Sequence, residues 1–129
     1  MSGDRRQQSL LGRWGEAQTA RWLRQNGYTV LSSGWHCRFG EIDLIAEKGP
    51  FLCFVEVKTR RSGDFALPRE AVTSAKQRRL CASAQMYLSA HPTQQRIRFD
   101  VAEVYAPEGT ATKQPRIVYL EAAFEPPED

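Results

Sequence analysis

Cysteine and histidine are both scarce in this chain. Three cysteines, Cys37, Cys53 and Cys81, lie far apart with no CxxC pair, and the two histidines, His36 and His91, show no ligand spacing. That argues against a zinc site and against a disulfide framework, and suits buried free thiols in a reducing compartment. Long apolar runs are missing too. None approaches the roughly eighteen residues that a membrane helix needs, and Met1 to Gln8 lack the apolar stretch of a secretory signal. A cytoplasmic protein with no membrane partner is expected. Repeats and long low-complexity stretches are absent as well. Acid is in short supply outside the C-terminus: Glu121 to Asp129 hold four acids and no base, which leaves 18 bases against 11 acids, a net +7, on residues 1–120.

What the chain does have is an ordinary apolar share, 41%, over 129 residues. That is enough for one domain with its own core and no staple. The expected division is a disordered arm over residues 1–9, a single domain over residues 10–121 and an acidic flexible tail over residues 122–129. Base is concentrated between Lys58 and Arg79, where Lys58, Arg60, Arg61, Arg69, Lys76, Arg78 and Arg79 face only Asp64 and Glu70. Such an excess favours a polyanion through counterion release, although it also describes a solvated, arginine-rich surface.

The pattern predicts an α/β fold in the order α-β-β-β-α-β-β. Leu10 to Asn26 reads as a helix stopped by Gly27. Tyr28 to His36 begins as a strand, Gly40 to Glu47 alternates as a second, and Phe51 to Lys58 is an apolar, central third. Lys48-Gly49-Pro50 marks a turn, so the second and third strands should form an antiparallel hairpin. Pro68 should open a helix from Arg69 to Ala90. Arg96 to Tyr105 and Pro115 to Leu120 complete the strands.

Alternation then places Glu41, Asp43 and Ile45 on one face, with Ile42 and Leu44 on the other. Glu56 and Lys58 share a face with Phe54. A hairpin pairing Glu47 with Leu52, around a four-residue loop from Lys48 to Phe51, puts Asp43 opposite Glu56. Facing carboxylates repel, and the cost grows with burial. A divalent cation removes it: Mg²⁺ favours one or two carboxylates with waters and phosphate oxygens. The Val57 carbonyl could add an oxygen. Lys58 could orient water or steady charge on phosphorus. Glu-x-Lys alone is most often an exposed ion pair; here it follows a strongly apolar strand, thirteen residues after an aspartate in a strand ending at a turn signal.

Glu16 shares a helical stripe with Ala20 and Leu23 and could reach the same site. Otherwise it is a surface partner of Arg13 or Arg24. Trp35, Arg38 and Phe39 interleave aromatics and charge, which suits stacking on bases or, more plainly, covering a core edge. His36 reads as structural or as a nucleic-acid contact.

Gly15-Glu16 with Ala20 and Leu23, then Gly40-Glu41-Ile42-Asp43-Leu44-Ile45, Phe54-Val55-Glu56-Val57-Lys58-Thr59-Arg60, Lys76 and Arg98-Phe99-Asp100-Val101 resemble the YraN family of uncharacterised bacterial proteins. The resemblance covers roughly Leu11 to Tyr105. That family is similar in fold to archaeal Holliday junction resolvases and to restriction-endonuclease-like nucleases of the PD-(D/E)xK class, with a mixed central sheet flanked by helices. The resemblance implies that Asp43, Glu56 and Lys58 stand at the signature positions, with Glu16 as the additional helix glutamate. Ile42 stands where the signature has proline. It implies a Mg²⁺- or Mn²⁺-dependent endonuclease for DNA, branched or damaged, with Asp43, Glu56, Val57 and Glu16 around the metal. It also implies a homodimer, because two cuts need two sites. Arg38, Arg60, Arg61, Lys76, Arg78 and Arg79 would contact nucleic acid. The alternatives are a non-catalytic nucleic-acid-binding module that keeps the fold, and an adaptor docking through its acidic tail.

Overall fold

The computed structural model describes residues 9–61 and 72–126. Its elements are α1 (Leu10–Gln25), β1 (Thr29–Cys37), β2 (Gly40–Lys48), β3 (Phe51–Arg60), α2 (Ser74–Ala90), β4 (Arg96–Tyr105) and β5 (Arg116–Phe124), with a 3-10 turn at Gly109–Ala111. This is the expected order.

Local chemistry sets the ends of the helices. The Gly12 N–H donates to the Ser9 hydroxyl at 2.9 Å, which caps α1. Gly27, at φ 88°, turns the chain away after it. α2 starts later than the expected Arg69. Pro68, Arg69, Glu70 and Ala71 lie outside the described residues, but Val72 and Thr73 precede the helix. Thr73 is the cap, its hydroxyl accepting from the Lys76 N–H at 3.2 Å, while Val72 is sunk into the core. A capping threonine needs extended backbone, so the helix cannot run through it.

The five strands form one sheet in the order β1-β2-β3-β4-β5. β3 and β4 are parallel and the other neighbours antiparallel. The parallel pair needs a crossover, and α2 lies within it. β2 and β3 adopt the expected register, with Glu47 opposite Leu52. The loop is shorter than expected, because Lys48 pairs with Phe51 and only Gly49 and Pro50 remain as the turn. Gly49, at φ 56°, permits so tight a reversal.

Two apolar clusters lie on the two faces of the sheet. Leu23 and Ala20 of α1 pack with Tyr28, Leu44, Ala46, Cys53, Val55 and Ala102. Leu80, Ala84 and Tyr87 of α2 pack with Ile42, Ile45, Leu52, Phe54 and Phe99. Ile42 therefore does not share a face with Leu44, as simple alternation predicts. The β1–β2 ladder is interrupted there, pairing Ser33 with Leu44 and Trp35 with Ile42 but not Gly34 with Asp43. Gly34 has φ 70°. Its left-handed backbone breaks the pleat and turns Ile42 and Trp35 toward α2, where Trp35 meets the Tyr87 ring edge-on at 5.4 Å.

β5 also runs past its expected end at Leu120, to Phe124, whose ring stacks on Phe99 at 5.1 Å. A bulge makes this extension work. Phe99 pairs with Phe124 and Val101 with Leu120, and Ala122 takes φ 51°. The Ala122 N–H donates to fully buried Asp100 at 2.8 Å. Asp100 also accepts from Tyr119 at 2.6 Å and from Arg98, whose Nε lies 3.0 Å away. Burial and the Asp100 charge push the Tyr119 hydroxyl far up. Burial works against the Arg98 charge, but the Asp100 carboxylate outweighs it and holds the guanidinium protonated.

Candidate functional site

The site lies where β2 and β3 part. Their ladder ends at Leu44 with Val55, so Asp43 and Glu56 do not form the expected opposed pair. Instead the Asp43 side chain enters the fork, and the Val57 N–H donates to its Oδ2 at 2.8 Å. The carboxylate has replaced a backbone rung. Val57 thus meets Asp43 through its amide N–H.

Glu16 comes to the same place from α1. The expected stripe holds: Glu16, Ala20 and Leu23 are all buried. Gly15 makes the approach possible, since a β-carbon there would overlap the Thr59 hydroxyl of β3. Helix and strand are therefore in close contact one residue before Glu16. Glu41 is the third acid, brought in from the start of β2. Carboxylate oxygens of Glu16, Glu41 and Asp43 lie within 4.8 Å of one another.

This crowding alters the acid at its centre. Withdrawal from water raises the Asp43 carboxyl well above its ordinary range. Glu56 and Glu16 raise it further, the Val57 N–H opposes them, and Glu41 adds a smaller push upward. Four carboxyls thus share one electrostatic neighbourhood. The oxygen-only donor set suits a hard divalent cation, whose ligand distances of roughly 2.0–2.6 Å match oxygens spaced this way.

Glu56 is ion-paired with α2. Its Oε2 accepts from Lys76 Nζ of α2 at 3.1 Å, so its charge already has a partner. Lys58 stands beside Glu103 in the β3–β4 register, and none of the ion pairs among the described residues includes it. The arrangement brings Glu16 and Asp43 together, keeps Glu56 within electrostatic reach, and adds Glu41, which the site expected from sequence omits. Alternation pointed to it, since Glu41 lies two residues before Asp43, but the glutamate alone carried no further signal.

The expected nucleic-acid contacts divide. Arg60 is drawn inward, ion-paired with fully buried Glu103. Arg61 is exposed, with its guanidinium against Gly109. Lys76 is held by Glu56. Arg78 and Arg79 are exposed near the start of α2, whose first turn has no acid. Arg38 and Arg79 line a cleft of about 630 Å³ that Glu41 also borders. A smaller cavity of about 60 Å³ connects Glu41 and Arg79 with Glu56 and Lys76. Of the four acids, Glu41 borders both concavities and Glu56 the smaller one, beside the arginines. His36, mostly exposed, lies 3.0 Å from Glu41 at the rim of the larger. Among the described residues no helix is long and apolar enough to cross a membrane.

The family model described as "Uncharacterised protein family UPF0102" matches residues 15–104. A UPF0102 protein of Syntrophomonas wolfei is 45% identical over 100 residues, 77% of this chain and 87% of that protein. One from Roseiflexus castenholzii is 45% identical over 96 residues, 73% of this chain and 77% of its own. One from Rhodococcus opacus is 43% identical over 117 residues, 88% of this chain and 95% of its own. The matched span takes in α1 from Gly15, the fork with Asp43 and Glu56, and β4 as far as Val104. The chain belongs to the UPF0102 family, the uncharacterised bacterial YraN proteins that its motifs resemble.

Proposed function

We propose that this protein is a divalent-cation-dependent endonuclease acting on DNA, with branched or damaged DNA as its substrate class. The observation that carries the reading is the crowding of Glu16, Glu41 and Glu56 around Asp43, which leaves Asp43 reluctant to ionise. Acids gathered this way destabilise a fold unless a cation joins them. Bound Mg²⁺ or Mn²⁺ supplies that charge, along with Lewis-acid activation of water and phosphate.

The remaining roles fall to the chain's own groups. Asp43, Glu16 and Glu41 hold the cation, and Glu56 joins them when Lys76 moves to a substrate phosphate. The Val57 N–H fixes which Asp43 oxygen faces the strand and which faces the site. Lys58, on the same strand as Glu56, assists the attacking water or the phosphorus-borne charge. Arg38, Arg61, Arg78 and Arg79 position the phosphodiester backbone without reading sequence. A symmetric dimer, which would deliver paired cuts, belongs to the same reading.

The Glu56–Lys76 ion pair favours a second reading, a non-catalytic DNA-binding module in which Glu56 serves structure. Cleavage separates the two. Linear, nicked, flapped and four-way DNA are incubated with Mg²⁺ or Mn²⁺. The nuclease reading expects cutting by wild type, and a loss of at least a hundredfold in Asp43→Ala and Glu56→Ala, since each would remove transition-state charge stabilisation worth roughly 3 kcal/mol or more. Salt-dependent binding with no cutting above those variants would leave the binding module.

A further inference from the structure

The turn between β1 and β2 carries a residue that turn chemistry does not ask for. Cys37 pairs with Gly40, so Arg38 and Phe39 alone make the reversal. Neither takes a positive φ, which falls on Gly40 instead, so this turn accepts most residues at both positions and asks for no aromatic. A phenylalanine there gains little for the fold. Phe39 is 39% exposed and belongs to neither apolar cluster, whereas its neighbour Trp35 is packed against α2. The Arg38 guanidinium lies over the Phe39 ring, 5.0 Å from its centre. An aromatic ring backed by arginine is a sequence-tolerant surface for stacking a nucleobase.

Its position matters as much as its exposure. Phe39, Glu41 and Arg79 border both the large cleft and the small cavity that holds Glu56 and Lys76. A base on the Phe39 ring therefore lies beside the carboxylates, with Arg79 on the same wall to take its phosphate. A base inside a duplex has both faces covered by its neighbours and cannot use such a ring.

We propose that the β1–β2 turn is a nucleobase platform, on which Phe39, backed by Arg38, stacks an unpaired base of the DNA strand next to the cut. This rests on the hydrolytic reading for the word "cut" and deepens it. The preferred substrate is DNA that is single-stranded for at least one nucleotide at the site, as at a flap, a gap or a frayed junction, rather than continuous duplex.

The test does not require cleavage. A blunt duplex and the same duplex with a short single-stranded DNA tail, carrying 2-aminopurine in the tail, are titrated at fixed salt with Ca²⁺ present. The proteins are wild type, Phe39→Ala and Phe39→Trp, with far-UV circular dichroism confirming that each is folded. The proposal expects the tail fluorescence to change on wild-type binding. It expects Phe39→Ala to lose roughly ten- to hundredfold affinity for the tailed DNA, the loss of one stacked base, with no change for the blunt duplex and recovery in Phe39→Trp. Equal loss on both DNAs, no loss, or no binding of the tail by wild type would overturn it. Tighter binding of an RNA tail would overturn the assignment to DNA. A wild type that binds tails through Phe39 but never cuts removes the hydrolytic reading and leaves the platform. One that cuts without regard to Phe39 does the reverse.

Discussion

Asp43 is the residue on which the proposed chemistry turns. Its folded-state carboxyl is raised by burial and by Glu56, Glu16 and Glu41. A raised acid favours folding fully below the ordinary carboxylate range, where it is protonated in both states, and that contribution is lost as pH rises through the raised value. Above the ordinary carboxylate range, metal-free wild type therefore gives up stability at this site. Asp43→Asn keeps an oxygen for the Val57 N–H and removes the charge. It should melt a few degrees above wild type at neutral pH in EDTA, and the gap should close as pH falls below the carboxylate range. Calorimetric scans over pH check both. A variant that melts lower at neutral pH would contradict the electrostatic account. At this scale the sequence was informative about the burial of Glu16, because helical spacing is a local rule, whereas alternation and register set Asp43 opposite Glu56 and it meets the Val57 N–H instead. The sequence was not informative about Lys76 on Glu56 or Arg60 on Glu103, since those partners come from distant elements that only the folded sheet brings together.

Among elements, the contact between α1 and β3 governs where Glu16 goes. Gly15 lets the helix lie against Thr59. Gly15→Ala gains helix propensity of about 1 kcal/mol, but the new methyl forces α1 away from the strand, an overpacking cost of roughly 1–3 kcal/mol. Net destabilisation should appear in chemical denaturation, together with weaker cation binding because Glu16 is displaced. Thr59→Ala in the same chain should restore part of both. Loss of stability with undiminished cation affinity would show that Glu16 is not a ligand. The hairpin register was legible at this scale, since the Gly49–Pro50 turn fixes Glu47 against Leu52. The reversal at Gly34 was not, because positive φ in a strand leaves no mark in the apolar pattern beyond the glycine itself. That one residue sent Ile42 to the other face. The end of β5 was hidden for a similar reason: polar Glu121 and two alanines disguise a bulge that Asp100 holds from the neighbouring strand.

For the whole molecule, the layers come from pattern and the candidate site from convergence. An apolar β3, alternating neighbours and two helices on opposite faces were written along the chain, so the element order could be read from it. The gathering of acids at the β2–β3 fork, beside a cleft edged by Arg38 and Arg79, is a property of the assembled sheet. On the proposed reading the protein takes up a divalent cation there, in competition with protons, because Asp43 must ionise first. Isothermal titration of Mn²⁺ into wild type and Asp43→Asn, repeated across pH, tests this most directly. Saturable binding to wild type that tightens as pH rises, and that falls at least tenfold in Asp43→Asn, is the predicted result. Affinity that is absent, or independent of both pH and Asp43, would contradict it.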